Sequence, residues 1–229
     1  MNIDRRLLLA AIAAGALPLP ARAENKTTLA KVWDIYPLLD GMILYRGKKN
    51  LVELAYYINV KGGAVTDVSL TAVTPQGETS LNILPDGRIE WPPVEIYMQI
   101  PQIRVSAKTG VELGFSQRFL ARLPLTKEIR LDELAQSLAE TNAVVAASRH
   151  RATDWQALNT VAFVGAASGR VERPGAPPTP LIQGDVPGAP KMPMLLIPEA
   201  DDGKVVLDQP PKALMLISRQ SRPSRSAGA

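Results

Sequence analysis

The chain contains no cysteine, which excludes disulfides, thiolate metal sites, cysteine nucleophiles and a lipid-modified amino-terminal cysteine. His150 is the only histidine among 229 residues. A histidine-rich metal centre is therefore excluded, as is a serine triad using any other imidazole. Apart from one run at the amino end, no apolar stretch approaches the roughly 20 residues a membrane-spanning helix needs, so no transmembrane helix is expected in the mature chain. A phosphate-binding glycine loop followed by lysine, a dinucleotide fingerprint and a calcium loop are all missing, so no cofactor and no metal is expected.

The exceptional apolar run has the form of an export signal. Arg5 and Arg6 precede an apolar segment from Leu7 to Leu17, and Ala21-Arg22-Ala23 is a small-x-small cleavage site. Residues 1–23 are thus expected to be removed, leaving 206 residues from Glu24. The signal holds three arginines and one aspartate, so its loss lowers the net charge from +4 to +2, and the pI of 9.4 overstates the basicity of the exported protein. Asp4-Arg5-Arg6-Leu7-Leu8-Leu9 resembles the twin-arginine motif, and Arg22 beside the cleavage site disfavours the general secretion route. A chain exported that way folds first. At 46% hydrophobic and 21% charged residues, the remainder is globular in composition and large enough to bury a core.

From Val52 to Lys61 apolar and polar residues alternate with the period of two of a strand with one buried face. Gly62-Gly63 turns the chain into a β-branched stretch from Val65 to Val73, and Pro85-Asp86-Gly87 separates strands around Leu81 and Ile89. Pro92-Pro93 lacks ladder donors and marks an edge or a crossover between sheets. Further alternation follows at 94–100, 103–107 and 111–115. About seven short strands spaced 8 to 12 residues apart predict a mainly β fold: an antiparallel β-sandwich of immunoglobulin or transthyretin type over 24–125, with a partly open barrel as the competing arrangement.

Beyond Leu125 the period changes. Leu131, Leu134, Ala135, Leu138 and Ala139 fall at helical spacing, with Asp132 and Glu133 complementing the dipole of a helix expected to run to about Ala147. Thr153-Asp154-Trp155-Gln156 can open a second helix as a capping box, while 159–165 reads equally as a strand. These features define a helical segment over 126–168. Residues 169–193, dense in proline, glycine and alanine, predict an extended solvated linker. Short strands follow within 194–217, docking on the sandwich or on a partner. Residues 218–229, with Arg219, Arg222 and Arg225 and no interleaved aromatic, form a basic solvated tail rather than a nucleic-acid contact.

Candidate site residues are few. His150, flanked by two arginines at a helix end, fits charge compensation of the helix dipole better than general-base chemistry. Asp34 and Asp40 flank Tyr36, Glu90 and Glu95 flank the Trp91-Pro92-Pro93 corner, and Asp201-Asp202 sits in a turn. A carboxylate hydrolase needs two such groups facing one cleft about 5 to 10 Å apart, and Glu90 and Glu95 are the pair to consider. Gly165-Ala166-Ala167-Ser168-Gly169 has its serine one place late for a nucleophile elbow. Trp33, Tyr36, Tyr45, Tyr56, Tyr57 and Trp91 form either a core or a ligand platform; Tyr57 alone falls on the polar face of its strand and is the candidate ligand contact. No catalytic residue is assigned.

The signal, the alternating body, Gly87-Arg88-Ile89-Glu90-Trp91-Pro92-Pro93 and the apolar helix at Leu131–Leu138 together resemble small exported proteins of Gram-negative bacteria that are classed only as domains of unknown function. The resemblance spans about Ile35 to Ala147. It implies a periplasmic address and transfers no functional residue. The expectation is a non-catalytic periplasmic interaction module binding a cell-envelope partner by strand addition to an exposed edge, with 194–217 as the adapter. A carrier of an apolar or sugar ligand is the second reading, and a carboxylate-dependent hydrolase the third.

Overall fold

The computed structural model describes residues 25–36, 38–91, 102–149, 156–185, 190–197 and 202–218. The expected signal, Pro92-Pro93, Glu95, the strand at 94–100, His150, the capping box from Thr153 to Trp155, Asp201 and the arginines of the tail lie outside them. The fold is mainly β and antiparallel. It divides into two compact units, 1–37 with 55–117 and 38–54 with 118–229.

In the first unit, β1 (Asn25–Lys31) and the short helix α1 (Val32–Ile35) precede β2 (Val52–Lys61), β3 (Val68–Thr74), β4 (Gly77–Ile83), β5 (Arg88–Glu90), β6 (Gln102–Lys108) and β7 (Glu112–Ala121). The division into units passes through β2 and β7, whose 52–54 and 118–121 belong to the second. Hydrogen-bonded neighbours run β1-β6-β3-β4-β5-β2-β7. The alternation read in the sequence is what the core uses: Val68, Leu70 and Ala72 of β3 pair with Ala107, Val105 and Ile103 of β6, and all six are buried. Mid-strand, β4 changes partner. Residues 77–81 pair with β3, whereas Asn82 and Ile83 pair with Glu90 and Ile89 of β5.

The turn between β4 and β5 depends on Gly87. Its φ of +83° lies in the left-handed region, and its carbonyl accepts from Ile58 N at 2.8 Å. A Cβ there would collide with the Ile58 carbonyl oxygen, so glycine is required by both torsion and close approach.

Among the described residues the strand order of this unit ends at β1. Lys26 pairs with Ala107 and Thr28 with Val105, so both share the face of the buried row, and yet both are exposed. A charged residue pointing inward on an edge strand is a standard guard against pairing with another chain.

The second unit contains α2 (Leu39–Leu44), β8 (Glu128–Arg130), α3 (Leu131–Ala147), β9 (Thr160–Val164), β10 (Gly169–Glu172), β11 (Thr179–Pro180), β12 (Ile182–Gly184), β13 (Met192–Leu196), β14 (Lys204–Leu207) and β15 (Ala213–Ile217). One sheet runs from 119–120 of β7 through β15, β9 and β13 to β12, and a second in the order β11-β10-β14-β8. Thr160 to Phe163 are buried in succession, with no alternation, the pattern of a strand covered on both faces. The helix starts and stops where its sequence says it should. Its Leu131, Leu134, Leu138, Val144 and Val145 are buried, and Gly41 of α2 approaches so closely that an added Cβ would lie 2.5 Å from the Val144 carbonyl oxygen.

Within 126–168 the strand alternative at 159–165 is the one found, as β9, and β8 precedes the helix. Residues 169–193 are not an extended linker: they carry β10, β11 and β12, each paired antiparallel to a neighbour. Of the two dockings expected for the carboxyl-terminal strands, β15 takes the one on a strand of the 24–125 segment: it lies between β7 and β9 with Leu214, Met215 and Leu216 buried, so this apolar surface is the unit's own core.

Candidate functional site

Two clusters in the first unit bear on function, one on each face of the ladder β5-β2-β7. Their registry follows from β2 and β7. Lys61 Nζ donates to Glu112 Oε2 at 3.0 Å, and a Cβ on Gly114 would lie 3.8 Å from that of Asn59. These contacts place Lys61 opposite Glu112 and Asn59 opposite Gly114, hence Tyr57 opposite Ser116 and Tyr56 opposite Gln117. On its other side β2 pairs Tyr57 with Arg88 and Tyr56 with Ile89.

The outer face therefore presents a row of Arg88, Tyr57 and Ser116. Below it Asn59, exposed, donates to Ser116 Oγ at 3.3 Å, and the exposed Gly114 adds no side chain. Above it Glu90, also exposed, accepts from Asn82 Nδ2 at 2.6 Å. Tyr57 is half-buried, on a face that otherwise carries amide, hydroxyl, guanidinium and carboxylate groups. Such a surface can stack an apolar group on the ring and satisfy hydrogen bonds around it.

The inner face carries the aromatic core. Tyr36, at the end of α1, meets Tyr56, Trp91 and Phe115 edge to face at centroid distances of 4.6, 5.4 and 5.9 Å. Tyr56 and Trp91 meet at 5.2 Å. T-shaped packing of this kind sets positive ring edges against negative faces. Tyr36 is wholly buried. Its Oη and the Oε1 of Gln117 have no hydrogen-bond partner among the described residues, and burial pushes the Tyr36 phenol well above its ordinary range. Gln117 follows Phe115 by two along β7, so both project to the same side.

Asp34 is exposed in the first unit, whereas Asp40 is buried in the second, accepting from Ser148 Oγ and from Arg149 N at 2.8 Å. Asp202 is exposed. The 165–169 segment is a turn whose Ala167 and Ser168 amides donate to Asp208, at 3.2 Å each; these bonds hold the Asp208 carboxyl below the usual carboxylate range. Tyr45 packs over Gly47 in the second unit. Sequence reasoning missed Phe115, which meets Tyr36, and Gln117 two residues further along the same strand face. The available signal was their i, i+2 spacing on one strand. Among the described residues no group of three or more histidine, aspartate or glutamate side chains could hold a metal ion, and no helix is long and apolar enough to cross a membrane.

No protein-family model, no curated protein and no solved structure matches this chain.

Proposed function

We propose that the protein is a non-catalytic periplasmic interaction module, and that a cell-envelope protein docks on its outer Tyr57-bearing face. The row Arg88, Tyr57, Ser116, bordered by Asn59 and the bare Gly114, carries this reading. A half-buried aromatic ringed by hydrogen-bonding groups matches the composition of binding hot spots. Docking on the face takes precedence over strand addition to an edge. The edge strand β1 is guarded by Lys26, and β12 offers three residues. A photo-crosslinking residue at position 57, in the protein expressed in its own host, is expected to give one discrete adduct that the same group at Glu133 does not; equal labelling from both positions contradicts the proposal.

The first unit is further inferred to be a two-layer sandwich of immunoglobulin or transthyretin type, with Tyr57 outside one layer and the Tyr36 cluster between the layers. The change of partner along β4 supports this, because strands that switch sheets make sandwich corners.

A second reading, a carrier of an apolar or sugar ligand, is favoured by Tyr36 Oη and Gln117 Oε1. A donor and an acceptor buried beside four aromatic rings could be satisfied by a ligand hydroxyl. A small molecule retained by the wild type and released by Tyr36→Phe would select it. The hydrolase reading has less support, since Glu90 is exposed, unlike the desolvated carboxyl that general-acid chemistry uses.

A further inference from the structure

Among the described residues Lys61, Arg104, Lys108, Arg122, Arg130, Arg170 and Lys204 each have a carboxylate within 4.0 Å. The loop after α2 concentrates cations that have none. Arg46-Gly47-Lys48-Lys49 places three cations in four residues, and among the described residues none of the three is in an ion pair. Lys49 has a structural use, its Nζ donating to the Met42 carbonyl at 2.6 Å and so closing the end of α2. Arg46 and Lys48 are exposed and have no such use.

Immediately before these cations, Met42, Ile43, Leu44 and Tyr45 are all half-buried rather than buried. The Tyr45 ring lies against the Gly47 backbone, so closely that a Cβ on Gly47 would overlap it. The loop is thereby folded back on its own aromatic. A partly exposed apolar turn, an aromatic with a polar tip and two unpaired cations occur in consecutive residues. An apolar group alone would suit a protein groove, and cations alone would suit any polyanion. Apolar, amphipathic aromatic and cationic groups side by side are the composition of a contact with a bilayer surface.

We infer that the 42–49 segment docks the protein on an anionic lipid surface, with Ile43, Leu44 and Tyr45 entering the interface and Arg46 and Lys48 meeting lipid phosphates. This is independent of the Tyr57 face. With only two free cations the attachment is reversible and salt-sensitive.

The test is co-sedimentation of the mature protein, from Glu24 to Ala229, with vesicles of phosphatidylglycerol and phosphatidylethanolamine, and with phosphatidylcholine vesicles as the neutral control. Binding is expected to the anionic vesicles, to fall steeply by 0.5 M salt, and to drop about thirtyfold in the Arg46→Gln/Lys48→Gln variant, the effect of two interfacial cations. An Ile43→Ser variant should also bind less at unchanged salt dependence. The inference is overturned if neither vesicle binds, if neutral vesicles bind equally, or if the double variant binds like the wild type. It is also overturned if an Arg219→Gln/Arg222→Gln/Arg225→Gln variant alone abolishes binding, which would place the contact in the tail.

Discussion

The carboxylate of Asp40 holds Ser148 across 108 positions of sequence, accepting from its hydroxyl and from the Arg149 amide. The bond fixes the end of α3 beside the start of α2, where Gly41 already meets Val144. Asp40→Ala would leave two donors in a buried site without their acceptor. The expected cost is about 2–3 kcal/mol of stability, read as a lower urea midpoint at unchanged slope. A loss within experimental error would contradict the role given to Asp40.

Gly87 and Gly110 separate torsion from close approach. Both have positive φ, +83° and +87°, but only at Gly87 would a Cβ meet backbone, whereas Gly110 has open space. Gly110→Ala should cost about 1–2 kcal/mol, the left-handed penalty alone. Gly87→Ala should cost clearly more, because the Ile58–Gly87 hydrogen bond must give way. Equal losses in denaturant titrations would show that the Ile58 contact does not matter.

The buried Tyr36 hydroxyl distinguishes the two readings of the first unit. If nothing binds there, Tyr36→Phe removes an unpaired polar group and leaves stability equal or raised. If a ligand hydroxyl meets it, the same change lowers stability and releases the ligand. Thermal unfolding with and without prior extraction separates these outcomes.

Alkaline pH probes the same group. Because burial raises the folded phenol above its ordinary value of 10.0, the folded state retains a proton the unfolded state has lost. Stability should therefore decline as pH rises past that value. Tyr36→Phe should flatten this decline, and an unchanged profile would contradict burial of the phenol.

Asp208 shifts in the opposite direction. The Ser168 amide, then that of Ala167, lowers its carboxyl below 3.8, so its contribution is present above that pH and lost as pH falls through the lower folded value. The amide proton shifts of Ala167 and Ser168 should titrate together with a midpoint below 3.8; a midpoint at or above it would contradict the pairing.

How much was legible depended on segment length. The alternation at 52–61, with Val52, Leu54, Tyr56 and Ile58 buried, and the helix at 131–147 each span enough residues for a period to show. Strands of two to four residues such as β11, β12 and β10 do not. Prolines among them hid the pairing further, since Pro193 lies within β13 opposite Gln183. β9 was ambiguous because burial on both faces erases the alternation that distinguishes strand from helix. Of the site, Tyr57 was visible as an aromatic on a polar face, but its neighbours Arg88 and Ser116 come from strands 31 and 59 positions away. Only the pairing register brings them together.

The most direct test of the interaction reading is native mass spectrometry of the protein purified gently from its own host, in wild-type and Tyr57→Ala forms. The account predicts a stoichiometric protein adduct on the wild type that Tyr57→Ala loses while remaining folded. A bare wild-type monomer, or an adduct that Tyr57→Ala retains in full, would contradict it.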